Sequence, residues 1–444
     1  MADGKVGTER HGRYRIAYCV PVLGSMDADD SSFLQQWLIM DHLRRRGHDV
    51  TLVAARDHYE ITRSRTPAGP EVVGRTWSDT GWFNLMAKGS WRIQSLLGVP
   101  YLNLFSNLRW YDALMRCLPG HDIVQERNGL YKMAAAMACR RLGIPFIYFF
   151  DADDLLEHEM FGKPLRGVLR WRARRVLGYN LRTAARVVCL SEAARQHLVR
   201  NWGVDGQKIA VFPNGVDVDR FRPPAEAGSA VRSALGVDDG PVIIFVGSFF
   251  PYQDVKTLLR AFALVAQEIG GAQLLLVGKG AGYDGALRYA ADLGVGGKAR
   301  FLGFRPHSEI PQLLGAADVA VAPYGAFEPG KFLGSSMKLV EYMAAGLAVV
   351  ASNVGQIAEV IDEGANGILV PPGNAPALAA ALVKLIGDRE LRLRLGRQAR
   401  RDAERKFSWE AYVCRLERLY HSLLLGMLPA AGGDGAHRPA AGAT

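Results

Sequence analysis

Ten short apolar runs, separated by stretches of helical periodicity, confine this chain to one fold class. In the first half they fall at 15–20, 50–54, 123–125, 145–150 and 186–190. In the second half they fall at 242–246, 273–277, 299–303, 318–322 and 347–351. Strand–helix alternation sustained over this length predicts an α/β protein with parallel sheets covered by helices on both faces. The stretch 32–46 shows how: Phe33, Trp37, Met40 and Leu43 or Arg44 step round one helical face, and Gly47 ends the helix. The pattern breaks at Phe221-Arg222-Pro223-Pro224 and restarts at Val242 after a loop rich in Pro, Ala and Gly. A chain of 444 residues is too long for one core. Two doubly wound, Rossmann-like domains facing a cleft are therefore expected, at 1–222 and 223–406. A final helix within 407–426 and a disordered Gly/Ala tail, 427–444, would follow. In such sheets ligands bind beyond the carboxyl ends of the strands.

Charge narrows the partners. The net charge is +10, and 161–190 carries eight Lys/Arg with no acid. Arg166, Arg170 and Arg174 recur every four residues beside an apolar stripe of Leu165, Leu169, Ala173 and Val176. This is a basic amphipathic helix, read first as a solvated helix packed on its domain and second as a contact for anionic lipid. Nucleic acid is not expected, since no binding module accompanies the charge. The segment 77–116 holds four of the eight tryptophans with Lys88, Arg92, Arg109 and Arg116. It reads as a helical wall of the first domain, with a membrane interface as the alternative. The five cysteines share no metal-like spacing and sit in apolar contexts, which suits buried thiols in a reducing compartment. No apolar run approaches 18 residues, and the first residues are charged where a signal peptide needs an apolar core. A cytoplasmic protein, with peripheral contact at the inner face of the membrane as a second reading, is expected.

Three places carry candidate chemistry. Strand 242–246 runs into Gly247-Ser248, and strand 273–277 into Gly278-Lys279-Gly280. Glycine turns there let backbone amides approach an anion at a helix start, although such turns join strand to helix in any α/β protein. In GSSMKLVEYMAAGLAVVASN, Lys338 and Glu341 stand three residues apart and share a helical face. Lys338 suits a phosphate and Glu341 the diol of a ribose; the plain alternative is two solvated charges on an amphipathic helix.

With these turns in order, the chain resembles the family 4 glycosyltransferases of the GT-B fold. The resemblance runs through LRRRGHDVTLVAA, HDIVQERNGLYKMAAAMACRRLGIPFIYFFDADDLLE, RVVCLSEAARQHL with KIAVFPNGVDVDRFRP, GFRPHSEIPQLLGAADVAVAPY, the KLVEYMAAG run and FSWEAYVCRLERLY. It implies transfer of a sugar from a nucleotide-sugar donor to a glycan, lipid-linked or small-molecule acceptor. Retention of configuration, no metal and no other cofactor are implied with it. By the same resemblance Glu341 binds the donor ribose, and Gly303-Phe304-Arg305 holds the base through backbone contacts. Gly24-Ser25 lies where a glycine loop approaches donor and acceptor, and the closing helix crosses back to the first domain.

The departures matter as much. Many members carry an arginine and a lysine for the diphosphate where this chain has Ser248 and Gln253. Eight residues before Glu341, where many have a sugar-binding glutamate, stands Leu333. The sequence follows a Ser-Pro-x-Lys-Leu-x-Glu-Tyr-Met-Ala variant, keeping Ser335 but with Ser336 in place of the proline. A departing diphosphate still needs positive charge, for which Lys338 is the first candidate, ahead of Lys331, Lys279 and Lys256. Asp151 opens the loop after strand 145–150 and orients an acceptor or sugar hydroxyl, or caps a helix. A paired-carboxylate hydrolase built on Asp151 and Glu157 is discounted, because helical spacing does not fix their separation. The alternative to an active transferase is a nucleotide-sugar-binding protein that has lost turnover.

Overall fold

The computed structural model describes residues 12–23, 31–56, 60–65, 70–98, 104–160, 162–222, 225–237, 240–326 and 333–426. The first sheet is built from Arg15–Leu23 (β1), Asp49–Arg56 (β2), Glu60–Ser64 (β3), Glu71–Val72 (β4), Ile123–Arg127 (β5), Phe146–Phe150 (β6), Arg186–Cys189 (β7) and Ile209–Val211 (β8). Its order is β4-β3-β2-β1-β5-β6-β7-β8. The second comprises Val242–Val246 (β9), Gln273–Val277 (β10), Ala299–Gly303 (β11), Val319–Ala322 (β12), Ala348–Ser352 (β13) and Ile368–Val370 (β14). Its order is β11-β10-β9-β12-β13-β14, parallel throughout.

All ten expected strands are present, joined by β3, β4, β8 and β14, which the apolar pattern did not reveal. β4, β8 and β14 are two or three residues long. β3 mixes charge into EITRS and pairs antiparallel with both neighbours at the edge of the first sheet. Runs that short or that polar carry no recognisable period.

The central strands read as unbroken apolar runs because both their faces are covered. In β9, Ile243 and Phe245 enter one core with Leu258, Phe262 and Leu382, while Val242 and Ile244 enter another with Leu339 and Tyr342. In the first domain, Ala173, Val176, Leu177 and Leu181 of helix Gly167–Thr183 are buried, so the basic stretch is a helix packed on its domain. Cys19, Cys117, Cys139 and Cys189 are buried free thiols.

The chain crosses between the sheets twice, side by side. Val216 donates to the Phe407 carbonyl at 2.8 Å, and Trp409 donates back to Val216 at 3.2 Å. Gly215 makes room for this, since a Cβ there would lie 2.4 Å from the Trp409 ring. The final helix, Trp409–Leu424, then packs on the first sheet, sharing a core with Ile16, Met40 and Leu43. Its Glu417 takes Arg46 at 2.7 Å and His48 at 2.8 Å, and these hydrogen bonds outweigh burial to hold its carboxyl at about 2. The 427–444 tail lies outside the described residues.

In both sheets the strand order reverses next to the first strand, between β1 and β5 and between β9 and β12. Crevices at such reversals, beyond the strand ends, are where α/β sheets hold ligands.

Candidate active site

A cavity of about 460 Å³ lies between the two domains, beyond the ends of β9 and β12 on one side and of β6 on the other. Val246, Gly247, Gln253, His307, Lys338 and Glu341 line it from the second domain, and Asp151, Asp153 and Glu157 from the first.

Helix Met337–Ala344 sets the polar pair. Leu339, Val340, Tyr342 and Met343 are fully buried, and the Tyr342 hydroxyl accepts from Val246 N at 2.7 Å, which pins the helix to β9. That packing leaves Lys338 and Glu341 on the cavity side, yet only 8% and 6% exposed. They are not solvated surface charges. The Lys338 ammonium donates to the Gln253 side-chain oxygen and lies 4.4 Å from the Phe245 ring centroid and 4.9 Å from that of Tyr324. Burial pushes this amine down to about 7, with Glu341 acting in the opposite direction. The helix starts at Ser336, which caps it with no side-chain hydrogen bond. Its positive end therefore faces the cavity, where Ser335, Ser336 and Met337 also stand. Together these groups gather a buried amine and the positive end of a helix on one wall of the cavity.

The strand ends beside it are knitted together. Gly247 N donates to Val277 O at 2.9 Å, and Gly278 N to Gly303 O at 2.7 Å. Gly278 is at φ 127°, and a Cβ there would fall 2.0 Å from the Gly247 carbonyl, so glycine is required. Ser248, Gly278, Lys279, Phe304 and Arg305 do not line the cavity itself. Ser248 Oγ is 3.5 Å from the Tyr252 hydroxyl. Lys279 is exposed, 5.9 Å from the Tyr283 ring, and Lys256 is exposed over Tyr289. Phe304 is 59% exposed and Arg305 lies 3.6 Å from Glu309. Gly24, Ser25 and Lys331 lie outside the described residues.

The opposite wall is acidic. Asp151 pairs with Arg127 at the end of β5. The helix-capping role falls instead to Asp153, which accepts from Leu155 N at 2.9 Å and also holds His197 at 2.8 Å. Burial and the Asp151 charge push the Glu157 carboxyl up. Behind it, burial among Glu157, Asp153 and Asp151 raises Asp154 to about 7.

Two contacts escaped the sequence reading. His307 Nε2 lies 2.8 Å from Glu341 Oε1, with its ring against Phe221. The Asn214 side chain donates to Ser335 O at 3.2 Å across the domains. The signal for His307 was present two residues after Arg305, in GFRPH.

A model described as glycosyltransferase family 4 matches residues 37–220, and one described as glycosyl transferases group 1 matches 230–402. A D-inositol 3-phosphate glycosyltransferase of Saccharomonospora viridis is 31% identical over 319 residues, covering 69% of this chain and 71% of that protein. The chain belongs to the family 4 glycosyltransferases. A relative of the same description from Nocardia farcinica is 34% identical over 256 residues, 56% of this chain and 54% of that protein, so the match spans about half of that relative's length. Among solved structures, sucrose-phosphate synthase from Thermosynechococcus elongatus has a TM-score of 0.69 at 20% identity, covering 93% of this chain and all of that one (100%). Anabaena Alr3699/HepE, solved with UDP and glucose, has a TM-score of 0.66 at 20% identity, covering 92% and 100%. These likenesses establish the fold, the two-domain GT-B arrangement.

In this family 4 glycosyltransferase the departures have visible packing consequences. Gln253 faces the Lys338 ammonium and supplies its acceptor. Leu333 is 4% exposed and joins the first domain's core, so the position eight residues before Glu341 presents an apolar side chain to the cavity.

Proposed function

We propose that this chain transfers a sugar from a nucleoside diphosphate donor to a hydroxyl-bearing acceptor, with retention at the anomeric carbon and with Lys338, rather than a metal, supplying the positive charge. The observation that carries the reading is the buried Lys338–Glu341 pair on one helix face, opening on a cavity closed by the other domain. As the bond from C1 to the diphosphate oxygen breaks, charge develops on that oxygen. Lys338 and the free end of its helix are placed to meet it. Glu341, steadied by His307, accepts hydrogen bonds from the ribose. The base stacks at the rim beside Gly303-Phe304-Arg305. The acceptor oxygen attacks C1 from the face the diphosphate leaves, and its proton passes to the departing oxygen. Asp151, fixed by Arg127, orients the acceptor or sugar hydroxyl. The binding-only alternative draws no support from the relatives, which are named as transferases.

Relatives named for D-inositol 3-phosphate and for phosphatidylinositol monomannoside suggest a polyol or a lipid-linked polyol as acceptor, and a role in building cell-surface glycans. A lipid-linked acceptor agrees with peripheral contact at the inner face of an anionic membrane. Trp82, Leu85, Ile93 and Leu96 of helix Gly81–Leu96 are 71%, 68%, 61% and 90% exposed beside Lys88 and Arg92. Among the described residues no helix is long and apolar enough to cross a membrane.

The test is a thermal-shift screen with UDP-, GDP-, TDP- and ADP-sugars without added metal. NMR of the product anomer with the donor so identified would follow. A donor at 100 times its Kd should stabilise by about 2.7 kcal/mol. Silence across the whole panel, or an inverted product, overturns the reading. Salt-sensitive flotation with anionic liposomes is expected, and its absence removes the membrane contact alone.

A further inference from the structure

In the first domain, helix Gly167–Thr183 and the 203–208 turn enclose a second groove of about 690 Å³. Arg174, Arg175, Arg182 and Lys208 line it together with Trp171 and Trp202. Its one acid, Asp205, is occupied in capping the turn, where it accepts from Gln207 N at 3.0 Å. Elsewhere on this helix Arg170 meets Glu159 at 2.9 Å. Among the described residues none of the three groove arginines meets a carboxylate. Four cations share the single carboxylate of Asp205, so like charges repel one another, and a bound anion would remove that cost.

The side chains are also held in place. Arg174 stacks 5.2 Å from the Trp202 centroid and Arg175 lies 5.3 Å from that of Trp171. Lys208 Nζ is anchored on the carbonyls of Leu181, at 2.8 Å, and Arg182, at 3.0 Å. Gly178 forms the floor. A Cβ there would lie 3.1 Å from Arg182 Nη1 and 3.8 Å from the Trp202 ring, so its absence lets the guanidinium lie flat. Burial and the neighbouring Arg186 push the Lys208 amine down, a shift that an anion would reverse.

We propose that this groove binds a phosphate-bearing ligand, with Arg174, Arg182 and Lys208 on the phosphate and the Trp171 and Trp202 faces against its apolar or planar body. Guanidinium forks match phosphate oxygens in pairs. The site touches the cleft at one point: the Trp202 indole N–H donates to Asp153, which lines the cavity, at 2.9 Å. The proposal stands independently of the transfer reading. Free phosphate esters and lipid headgroups present the same chemistry.

The experiment uses the full chain at low salt. Inorganic phosphate is titrated while tryptophan fluorescence is followed. In parallel, retention on phosphatidylcholine vesicles with and without phosphatidic acid is measured. Arg174→Ala/Arg182→Ala should weaken phosphate or phosphatidic acid binding at least tenfold, and should do so equally in a Lys338→Met background, where the cleft has lost its own phosphate ligand. These arginines are exposed, so the unfolding transition should hold, and Arg175→Glu gives a second, separate probe of the groove. Loss confined to free phosphate names a soluble ligand, and loss on the acidic vesicles names a headgroup. Unchanged binding in both arms, or phosphate binding abolished by Lys338→Met alone, overturns the proposal.

Discussion

The two walls of the cleft are built on different principles. On the second-domain wall an all-parallel sheet and a helix with four fully buried residues hold a cation and a carboxylate almost out of water. On the first-domain wall Asp151, Asp153 and Glu157 stand on a loop and a short helix, and Asp151 and Asp153 are steadied by partners from other elements. Among the described residues the exposed tryptophans, Trp77, Trp82, Trp91 and Trp171, all belong to the first domain, and fewer large apolar side chains project from the second. On the proposed reading a packed apolar skeleton places the donor-binding groups, while charges and loops shape the acceptor side. If that contrast is right, changes on the donor wall should cost turnover, and changes on the outer face of the first domain should cost location.

The largest effect is expected at Lys338. Replacing it by Met keeps the shape and removes what is, among the described residues, the buried cation of the donor wall. Loss of an electrostatic group aimed at developing charge typically costs a factor of about 10²–10³ in kcat. The variant should still fold, at a cost of about 1–3 kcal/mol for the buried Gln253 oxygen left without its donor. Initial rates beside a melting curve check both halves. A rate within a factor of two of the parent would remove Lys338 from the phosphate site, and with it the sharpest difference between the walls.

The second test is pH. In the empty site the Lys338 amine sits at about 7, far below its usual value, because burial disfavours the charged form. A diphosphate binds the protonated form, so donor affinity should fall about tenfold per pH unit above about 7. Calorimetry in buffers of different ionisation heat should show proton uptake there. Stability runs the other way. Between about 7 and the ordinary lysine value of 10.5 the unfolded chain binds the extra proton. The residue's contribution to the empty protein therefore rises with pH across that window and is lost as pH falls through it. Lys338→Met should flatten both dependences.

The same contrast explains what was legible in the sequence. Strands β9, β10 and β12 announce themselves because five-, four- and four-residue runs are apolar on both faces. The Lys338–Glu341 pair is legible because a helix puts residues three apart on one side. Nothing in a local pattern says that this side is buried, that Gln253 lies 85 positions away in sequence against the ammonium, or that Arg127 meets Asp151 from the next strand. Those facts come from the order in which strands pair. Of the tryptophans in 77–116, Trp110 is 1% exposed and part of the helical wall, while Trp77, Trp82 and Trp91 face outward. Composition treats the four alike; only packing separates them.

A smaller effect is expected at His307. Its ring fixes the Glu341 carboxylate at 2.8 Å from one side, leaving the other oxygen for a ribose. His307→Ala should free that carboxylate to rotate, at a cost of about 1 kcal/mol, or roughly fivefold in donor Kd. The kcat at saturating donor should hold. A large fall in kcat with unchanged Kd would make His307 part of the chemistry instead of a support for Glu341.

The smallest effect on turnover belongs to the outer face of the first domain. Trp82 and Leu96 are 71% and 90% exposed, so Trp82→Ser/Leu96→Ser removes almost no packing. Its unfolding free energy should stay within about 0.5 kcal/mol of the parent, and its rate on a water-soluble acceptor should not change. On anionic liposomes the same variant should float poorly, because each side chain withdrawn from the interface forfeits roughly 1.5–3 kcal/mol. A marked loss of stability would show that these side chains pack against something within the protein. Unchanged flotation would mean that the exposed face of Gly81–Leu96 does not meet lipid, and the two domains would then differ in surface composition without differing in where they act.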